Sequence, residues 1–174
     1  LTTHHSVSLS GLDSETTYHF RVESKDAAGN EAISDDVAFN TPDVTSPVIS
    51  NVVVSDITGS SAVITWETNE LATSQVEYGM TTSYGQTTLL DDSLTTQHSV
   101  TLTSLDSETT YHLRVRSKDA ADNEAVSDDS TFNTPDVTSP VISSVVVSDI
   151  TGSSAVITWK TNEPATSQVE YGPT

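Results

Sequence analysis

Ala62-Val63-Ile64-Thr65-Trp66-Glu67 follows the turn-forming residues Thr58-Gly59-Ser60 and carries the clearest structural signal in the chain. In an extended segment, alternate side chains point to opposite faces, so Ala62, Ile64 and Trp66 share one face. An apolar face that ends in a large aromatic residue predicts a strand whose tryptophan is buried in a core.

Short alternating segments of the same kind recur along the chain, in which Ser and Thr make up about a third of the residues. Both residue types weaken helix interiors, and no window has apolar residues at helical spacing over three turns. We therefore predict an all-β protein. Seven strands of its central part are marked by Ile49, Val52, Val54 and Ile57; by Ala62, Ile64 and Trp66; by Val76 and Tyr78, ended by Gly79; by an edge segment from Tyr84 to Leu90; by Val100 and Leu102; by Tyr111, Leu113 and Val115; and by Phe132.

An internal repeat organises the chain. Residues 1–81 align with residues 94–174 at a constant offset of 93, and 67 of the 81 aligned positions are identical. Residues 40–47 and 133–140 each contain two prolines five positions apart. Proline is excluded from central strands, so each segment is typical of a stiff, extended linker.

The two linkers predict where the repeats begin and end. Residues 44–136 make up one complete repeat, which we call the complete unit. Residues 1–43, the first half-unit, hold the last three strands of a preceding repeat. Residues 137–174, the second half-unit, hold the first three strands of a following repeat.

Several marker residues resemble those of the fibronectin type III domain. They are Trp66 in the second strand, Val76-Glu77-Tyr78-Gly79 in the third, Leu105 six residues before Tyr111, and the closing Asn133-Thr134-Pro135. The resemblance implies tandem seven-stranded, immunoglobulin-like β-sandwiches. It also implies a tyrosine corner, in which the Tyr111 hydroxyl bonds to nearby backbone at the turn into the sixth strand.

The stretch from Ile64 to Gly79 is similar to the fibronectin type III subset found in bacterial and archaeal secreted proteins. It also resembles the sandwich domain that precedes some metallophosphatases. This resemblance implies a prokaryotic protein that is secreted or displayed at the cell surface. The chain contains no Arg-Gly-Asp sequence, so the integrin-binding loop of the animal family members has no counterpart here.

Charge and composition exclude several classes of function. The chain has 25 acidic and 6 basic residues, a formal net charge of −19. Nucleic acids and anionic lipids require a basic face, so neither is an expected partner. No run of about 18 apolar residues occurs, which argues against a membrane span. Without cysteine the chain has no disulfide, thiol nucleophile or cysteine-ligated zinc.

The histidines give no reason to predict an enzyme. His19 and His112 fall between inward-facing positions and are expected on the outer face of the sixth strand, whereas His5 and His98 lie on the fifth strand, in the opposite sheet. Groups on opposite outer faces cannot converge on a substrate. We therefore interpret them as solvated, and we predict no catalytic, cofactor-binding or metal-binding residue.

Calcium is the one ligand that the acidic residues bring into consideration, because it binds six to eight oxygen ligands and carboxylates supply oxygens. Linker and loop carboxylates could supply several of them. A solvated acidic surface is the preferred interpretation, and no cofactor is predicted. The candidates are Asp35, Asp36, Asp91, Asp92, Asp128 and Asp129, together with the linker residues Asp43 and Asp136.

These features predict an extracellular structural repeat that forms a stalk or a head-to-tail filament, with neighbouring identical repeats as partners. One alternative is a spacer or carbohydrate-binding module of a secreted hydrolase, with surface polysaccharide as partner. Another is the stalk of an adhesin. The few aromatic residues disfavour sugar binding, with Tyr84 as the main exposed candidate.

Each half-unit by itself would expose an apolar face, so its complement is expected to be present. The two half-units complement each other except for a counterpart of residues 82–93. The join between them is either covalent, in a longer chain, or a non-covalent strand exchange between subunits. Near-identical tandem copies favour the covalent join. The exposed aromatic and apolar residues would be Ile157, Trp159 and Tyr171 on one side and Tyr18, Phe20 and Phe39 on the other.

Overall fold

The structure, a computed structural model, describes residues 2–173 and is all-β, with no helix in that range. Among these residues, no helical segment is available that could cross a membrane. The thirteen strands are β1 (Thr17–Phe20), β2 (Glu23–Lys25), β3 (Glu31–Ile33), β4 (Val37–Asn40), β5 (Ile49–Ser55), β6 (Ser61–Gly79), β7 (Gln86–Thr87), β8 (Asp91–Thr103), β9 (Thr110–Lys118), β10 (Glu124–Val126), β11 (Ser130–Asn133), β12 (Ile142–Ser148) and β13 (Val156–Thr161).

The complete unit contains two antiparallel sheets that share strand β6. Its first part pairs with β5 on one side and β8 on the other. Its last five residues, Gln75–Gly79, pair with β9, and the end of β6 also pairs with the two-residue β7. Strands β10 and β11 lie one after the other along the far side of β9. The result is a sandwich whose two layers are joined through one bent strand.

The continuity of β6 corrects the predicted strand list, which treated its two parts as separate strands. Register irregularities between Glu67 and Ala72, and between Ala72 and Ser74, let β6 change sheets without ending. Extra residues of this kind bend a strand and increase its twist. The predicted edge strand from Tyr84 to Leu90 is also shorter than expected, because only Gln86 and Thr87 form a ladder.

Glycine is required where β6 ends. A Cβ at Gly79 would lie 1.4 Å from the backbone oxygen of Tyr84, so the returning chain leaves no room for a side chain. The prediction that Gly79 ends this strand is confirmed. Tyr84 itself has a φ of 56°, in the left-handed region that non-glycine residues rarely adopt.

The core of the complete unit lies between the two sheets. Trp66 is 1% exposed, and Ala62 and Ile64 on the same face are fully buried. The predicted core positions are confirmed with one exception: Ile57 lies beyond the end of β5 and is 38% exposed. The other buried apolar members of the cluster are Val76, Leu102, Leu105, Tyr111, Leu113, Val115 and Phe132.

The tyrosine corner is present at the start of β9. Tyr111 is 3% exposed, and its hydroxyl oxygen accepts a hydrogen bond from the backbone N–H of Asp106 at 2.9 Å. Leu105, next to that donor, is buried as predicted. The bond therefore fixes the turn that leads into the central strand of the second sheet.

We expect Tyr111→Phe to lower the free energy of unfolding of the complete unit by about 1–3 kcal/mol, because Asp106 N–H loses its partner. Chemical denaturation followed by tryptophan fluorescence measures the change. Tyr18→Phe is the matched control, since Tyr18 accepts the equivalent bond from Asp13 N–H in the first half-unit. That control should change the same unfolding transition by less than about 0.5 kcal/mol. Equal effects of the two variants would contradict the assignment.

The half-units form small separate sheets. In the first, β1 pairs with β4 and β2 pairs with β3; in the second, β12 pairs with β13. Both present apolar side chains to solvent: Phe20 is 39% exposed and Tyr171 is 97% exposed. The boundaries of the three predicted units stay a prediction.

Candidate functional site

His98 is buried, which corrects the expectation that it lies on an outer face. Its exposed fraction is 3%, and its ring stacks on the indole of Trp66 with centroids 4.8 Å apart and planes 8° from parallel. The register of β8 places His98 directly opposite Trp66 on β6. Because inward positions alternate, His98 shares the inner face of β8 with Val100 and Leu102.

Hydrogen bonds hold the His98 ring in one neutral form. Thr68 donates its hydroxyl proton to the backbone oxygen of Glu70 at 2.7 Å. Its oxygen, 2.9 Å from His98 Nε2, is therefore free to accept the Nε2–H. Ser74 Oγ lies 2.8 Å from Nδ1 and donates to it. With both ring nitrogens occupied by hydroxyl groups inside the core, His98 serves the fold and is unavailable for acid–base chemistry.

The other histidines lie at the surface, as predicted. His112 Nδ1 lies 2.8 Å from Asp129 Oδ2, and His19 Nδ1 lies 2.7 Å from Asp36 Oδ2. His4 and His5 are exposed. The two His–Asp contacts occupy equivalent positions of the repeat, on the strand that follows the tyrosine corner. In the part of the chain that the structure describes, neither pair is hydrogen-bonded to a serine or threonine hydroxyl that could act as a nucleophile.

Three carboxylates converge where the first linker meets the complete unit. Ligand oxygens of Asp43, Glu70 and Asp119 lie within 4.8 Å of one another. Asp43 comes from the linker, Glu70 from the bend of β6, and Asp119 from the residue that follows β9. Sequence reasoning singled out Asp43 and missed the other two, which are 27 and 76 residues away along the chain. We call these three residues the acidic junction.

Two of the three carboxylates in the acidic junction already accept hydrogen bonds. Asp119 Oδ1 accepts from the backbone N–H groups of Ala121 and Asn123. Asp43 Oδ1 accepts from the backbone N–H and the hydroxyl of Thr45. The hydrogen bonds that Asp43 accepts from Thr45 lower the pKa of Asp43. The pKa of Glu70 is raised, mainly because the side chain is partly buried and also because the charges of Asp43 and Asp119 are nearby.

The acidic junction therefore brings like charges together and is a poor calcium site. Calcium needs six to eight oxygens, and two of the three carboxylates here are already committed to closing local turns. Three of the six paired aspartates considered as ligands are engaged in other contacts. Asp36 and Asp129 contact histidines, and Asp91 Oδ1 accepts from the backbone N–H of Ser93. Adding a chelator should leave the melting temperature unchanged.

We expect Glu70→Gln to stabilise the complete unit by about 0.5–1 kcal/mol at neutral pH and low salt, where like charges repel most. A carboxyl whose pKa is raised by folding destabilises the fold when ionised. The gain should therefore disappear as the pH falls below the ordinary glutamate value, and it should shrink in high salt. Urea denaturation at pH 7 and pH 4 measures it.

Glu67→Gln is the matched control for the acidic junction. Hydrogen bonds from Asn51 and Gln97 lower the pKa of Glu67, so its ionised form is the one that the fold favours. Its replacement should not stabilise the protein at any pH. A calcium-dependent rise in melting temperature that Glu70→Gln abolishes would contradict our interpretation of the acidic junction.

The outer face of the second sheet carries a charge network instead of an aromatic platform. Glu77 accepts hydrogen bonds from Arg114 and Arg116, and Arg116 also contacts Glu124 at 2.6 Å. Burial opposes ionisation of Glu77, but the two guanidinium groups outweigh it and lower the pKa. Tyr84 is half-buried, with the Arg114 guanidinium 4.7 Å from its ring centroid. Tyr84, predicted as the main exposed candidate for sugar binding, is therefore partly covered.

The sandwich of two antiparallel sheets and its tyrosine corner are those of the fibronectin type III fold. The family model of the purple acid phosphatase N-terminal domain, itself a domain of this kind, matches residues 47–134. The chain belongs to that family. The match covers all but the ends of the complete unit, and it agrees with the resemblance to sandwich domains that precede metallophosphatases.

Similar stretches occur in one known enzyme and in two solved structures. Endoglucanase B of Cellulomonas fimi is 36% identical over 156 residues, which cover 84% of this chain and 15% of that protein. Domains d3–d4 of the rat CD45 extracellular region align with a TM-score of 0.50 at 14% identity, over 75% of this chain and 71% of theirs. Domains FN1–FN3 of chicken CNTN1 align with a TM-score of 0.45 at 18% identity, over 72% and 45%.

Proposed function

We propose that this chain is a non-catalytic spacer of an extracellular protein, in which tandem sandwiches hold functional parts at a set separation. The proposal rests on the hydrogen bonds that each linker forms with the unit before it. Ser14 Oγ donates to the backbone oxygen of Pro42 and accepts from the N–H of Val44. The linker is thus tied to the half-unit that precedes it.

The second linker repeats this arrangement. Ser107 Oγ donates to the backbone oxygen of Pro135 at 3.0 Å and accepts from the N–H of Val137 at 3.3 Å. A Cβ at Gly59 would lie 2.5 Å from the Val137 side chain, so this linker packs closely on the turn before β6. Because both linkers form the same two hydrogen bonds with a serine of the preceding unit, they favour a regular spacing between successive units, as a spacer requires.

The similarity to Endoglucanase B supports an accessory role. The aligned 156 residues are longer than one 93-residue repeat, so the similarity extends over the tandem arrangement. The chain spans only 15% of the length of that enzyme. A spacer between the parts of a secreted hydrolase accounts for both facts. A surface stalk would use the same physical properties, and it stays an alternative.

Direct sugar binding has less support than a spacer role. Carbohydrate sites use exposed aromatic faces, and Tyr84 is partly covered by Arg114. Trp66, Tyr111 and Phe132 are in the core. We therefore expect insoluble cellulose to retain the same fraction of this chain as of serum albumin after washing.

Pulsed electron resonance tests the spacer proposal directly. The chain has no cysteine, so nitroxide labels can be placed at Thr101→Cys in the complete unit and Ser143→Cys in the second half-unit. Dilution into excess unlabelled chain isolates the intrachain distance. We expect one narrow distance distribution that broadens when Ser107→Ala and Pro135→Gly are combined. A distribution that is already broad in the parent would overturn the proposal.

A further inference from the structure

The first part of each linker is bound to the unit that precedes it. In the second linker, Thr134 is buried and donates its hydroxyl proton to the backbone oxygen of Asp106 at 2.6 Å. Asp136 Oδ1 then accepts a hydrogen bond from the backbone N–H of Thr138 at 2.8 Å. Together with the hydrogen bonds of Ser107 described above, these contacts fix the linker to the complete unit as far as Thr138.

The first linker is fixed to the first half-unit by equivalent bonds. Thr41 donates to the backbone oxygen of Asp13 at 2.6 Å, and Asp43 Oδ1 accepts from the backbone N–H of Thr45 at 3.0 Å. The arrangement is therefore a property of the repeat and not of one linker alone.

The residue after each linker is bound to the unit that follows. The Val48 N–H donates to Asn69 Oδ1 at 2.6 Å, and the Asn69 N–H donates back to the Val48 oxygen at 3.3 Å. The Val141 N–H donates to Asn162 Oδ1, also at 2.6 Å. Asn69 and Asn162 are equivalent at the offset of 93, so the same asparagine of each unit holds the end of the linker that leads into that unit.

A serine separates the two fixed parts of each linker. Ser46 lies between Thr45, which Asp43 holds, and Pro47, which is buried. Among the described residues, neither Ser46 nor its equivalent Ser139 donates its backbone N–H to a hydrogen bond. The proline that follows restricts each serine to extended backbone. Changes of chain direction between units are therefore concentrated at Ser46 and Ser139, which we call the pivot residues.

A hydrogen bond crosses the first pivot residue. Asn123 Nδ2 donates to the backbone oxygen of Asp43 at 3.4 Å, and it also donates to Asp119 Oδ2 at 2.8 Å. Asn123 belongs to the turn after β9 of the complete unit, whereas Asp43 lies on the other side of Ser46. The bond to Asp43 therefore restricts rotation of the complete unit about this pivot residue.

We propose that the orientation of successive units is set at the pivot residues by two kinds of positioning residue. Asn69 and Asn162 hold the following unit close to the pivot, and Asn123 limits rotation about it. Without the asparagine oxygen, the valine after the linker is released and the mobile segment lengthens, so the units sample more orientations. This inference rests on the proposed spacer role, because a set separation between functional parts requires a restricted joint.

Pulsed electron resonance across the first linker tests the positioning residues that the complete unit supplies. Nitroxide labels at Ala38→Cys and Thr101→Cys, both exposed positions, report the intrachain distance. We expect Asn69→Ala and Asn123→Ala each to broaden the distance distribution by about twofold or more relative to the labelled parent. Asn69→Asp should keep the distribution narrow, because a carboxylate oxygen still accepts the Val48 N–H.

Asn133→Ala is the matched control for these variants. Asn133 accepts a hydrogen bond from the Thr110 hydroxyl at the end of the complete unit that leads into the second linker, so its loss should leave the distribution unchanged. A broad distribution in the labelled parent would contradict the spacer role itself. A narrow distribution that Asn69→Ala and Asn123→Ala both leave unchanged would overturn the present inference alone.

Amide hydrogen exchange of the parent chain tests the pivot residues without any substitution. Val48 and Val137 donate their N–H groups to side chains of the complete unit. We expect both to exchange about tenfold more slowly than the pivot residues, relative to unfolded peptides of the same sequence. Equal exchange at the valines and at the pivot residues would also overturn the inference.

Discussion

Trp66→Ala should lower the free energy of unfolding of the complete unit by about 3–5 kcal/mol, the usual cost of removing a large buried aromatic side chain. Trp66 is 1% exposed and lies between the two sheets. Its indole N–H also donates to Ser117 Oγ at 3.0 Å, and its ring stacks on His98. The substitution leaves a cavity, an unpaired hydroxyl and an uncovered imidazole at once. Urea denaturation followed by circular dichroism measures the loss.

The chain supplies its own control for this prediction. Trp159 occupies the equivalent position of the second half-unit, in the same local sequence except that Lys160 replaces Glu67. Trp159→Ala should leave the unfolding transition of the complete unit within about 0.5 kcal/mol of the parent. If Trp66→Ala prevents folding, Trp66→Phe still tests the assignment, because it retains an aromatic ring and removes the bond to Ser117. A loss below about 1 kcal/mol for Trp66→Ala would show that the strand register is wrong.

The alternation of side chains predicted most of the sandwich because apolar residues at every second position mark the strand face that is buried in the core. Trp66, Tyr111 and Phe132 mark strands by their size, and the constant 93-residue offset reveals the internal repeat. The same rule, applied to a polar residue, indicates the burial of His98, which lies two residues before Val100 and four before Leu102. The prediction that His98 is exposed relied on the residue type and disregarded that periodicity. Burial followed because Thr68 and Ser74, on the facing strand, satisfy both ring nitrogens.

The acidic junction illustrates a different limit of sequence-based prediction. Asp43, Glu70 and Asp119 belong to a linker, a strand bend and a turn, and no local pattern connects them. Their proximity depends on the bend of β6, where the strand changes sheets. The sequence predicts two separate strands here and therefore does not predict the bend. Contacts that depend on an irregular element follow only from the three-dimensional structure.

We expect the stability of the complete unit to fall as the pH decreases from about 7 to 5, because His98 is neutral in the folded state. Burial lowers the pKa of His98, and the charge of Asp91 opposes that shift only in part. An unfolded imidazole protonates with a pKa near 6.5, so below that pH the unfolded chain binds the extra proton. The free energy of unfolding should be level above about pH 7 and decline by at most about 1.4 kcal/mol per pH unit below 6.5.

The matched variants His98→Gln and His112→Gln isolate this effect. Protonating His98 at Nδ1 would reverse the bond from Ser74 and place a charge beside the indole of Trp66 inside the core. His98→Gln removes the titrating group, so it should lower stability at pH 7.5 by about 1–3 kcal/mol and abolish the decline between pH 7 and 5. His112→Gln changes a surface pair with Asp129 and should retain the decline, because His98 is intact. Carboxylates whose pKa the fold lowers, such as Glu77, lose their contribution only at more acidic pH, below this window. A decline that persists in His98→Gln would mean that another group causes it, and that the buried neutral imidazole does not couple folding to pH.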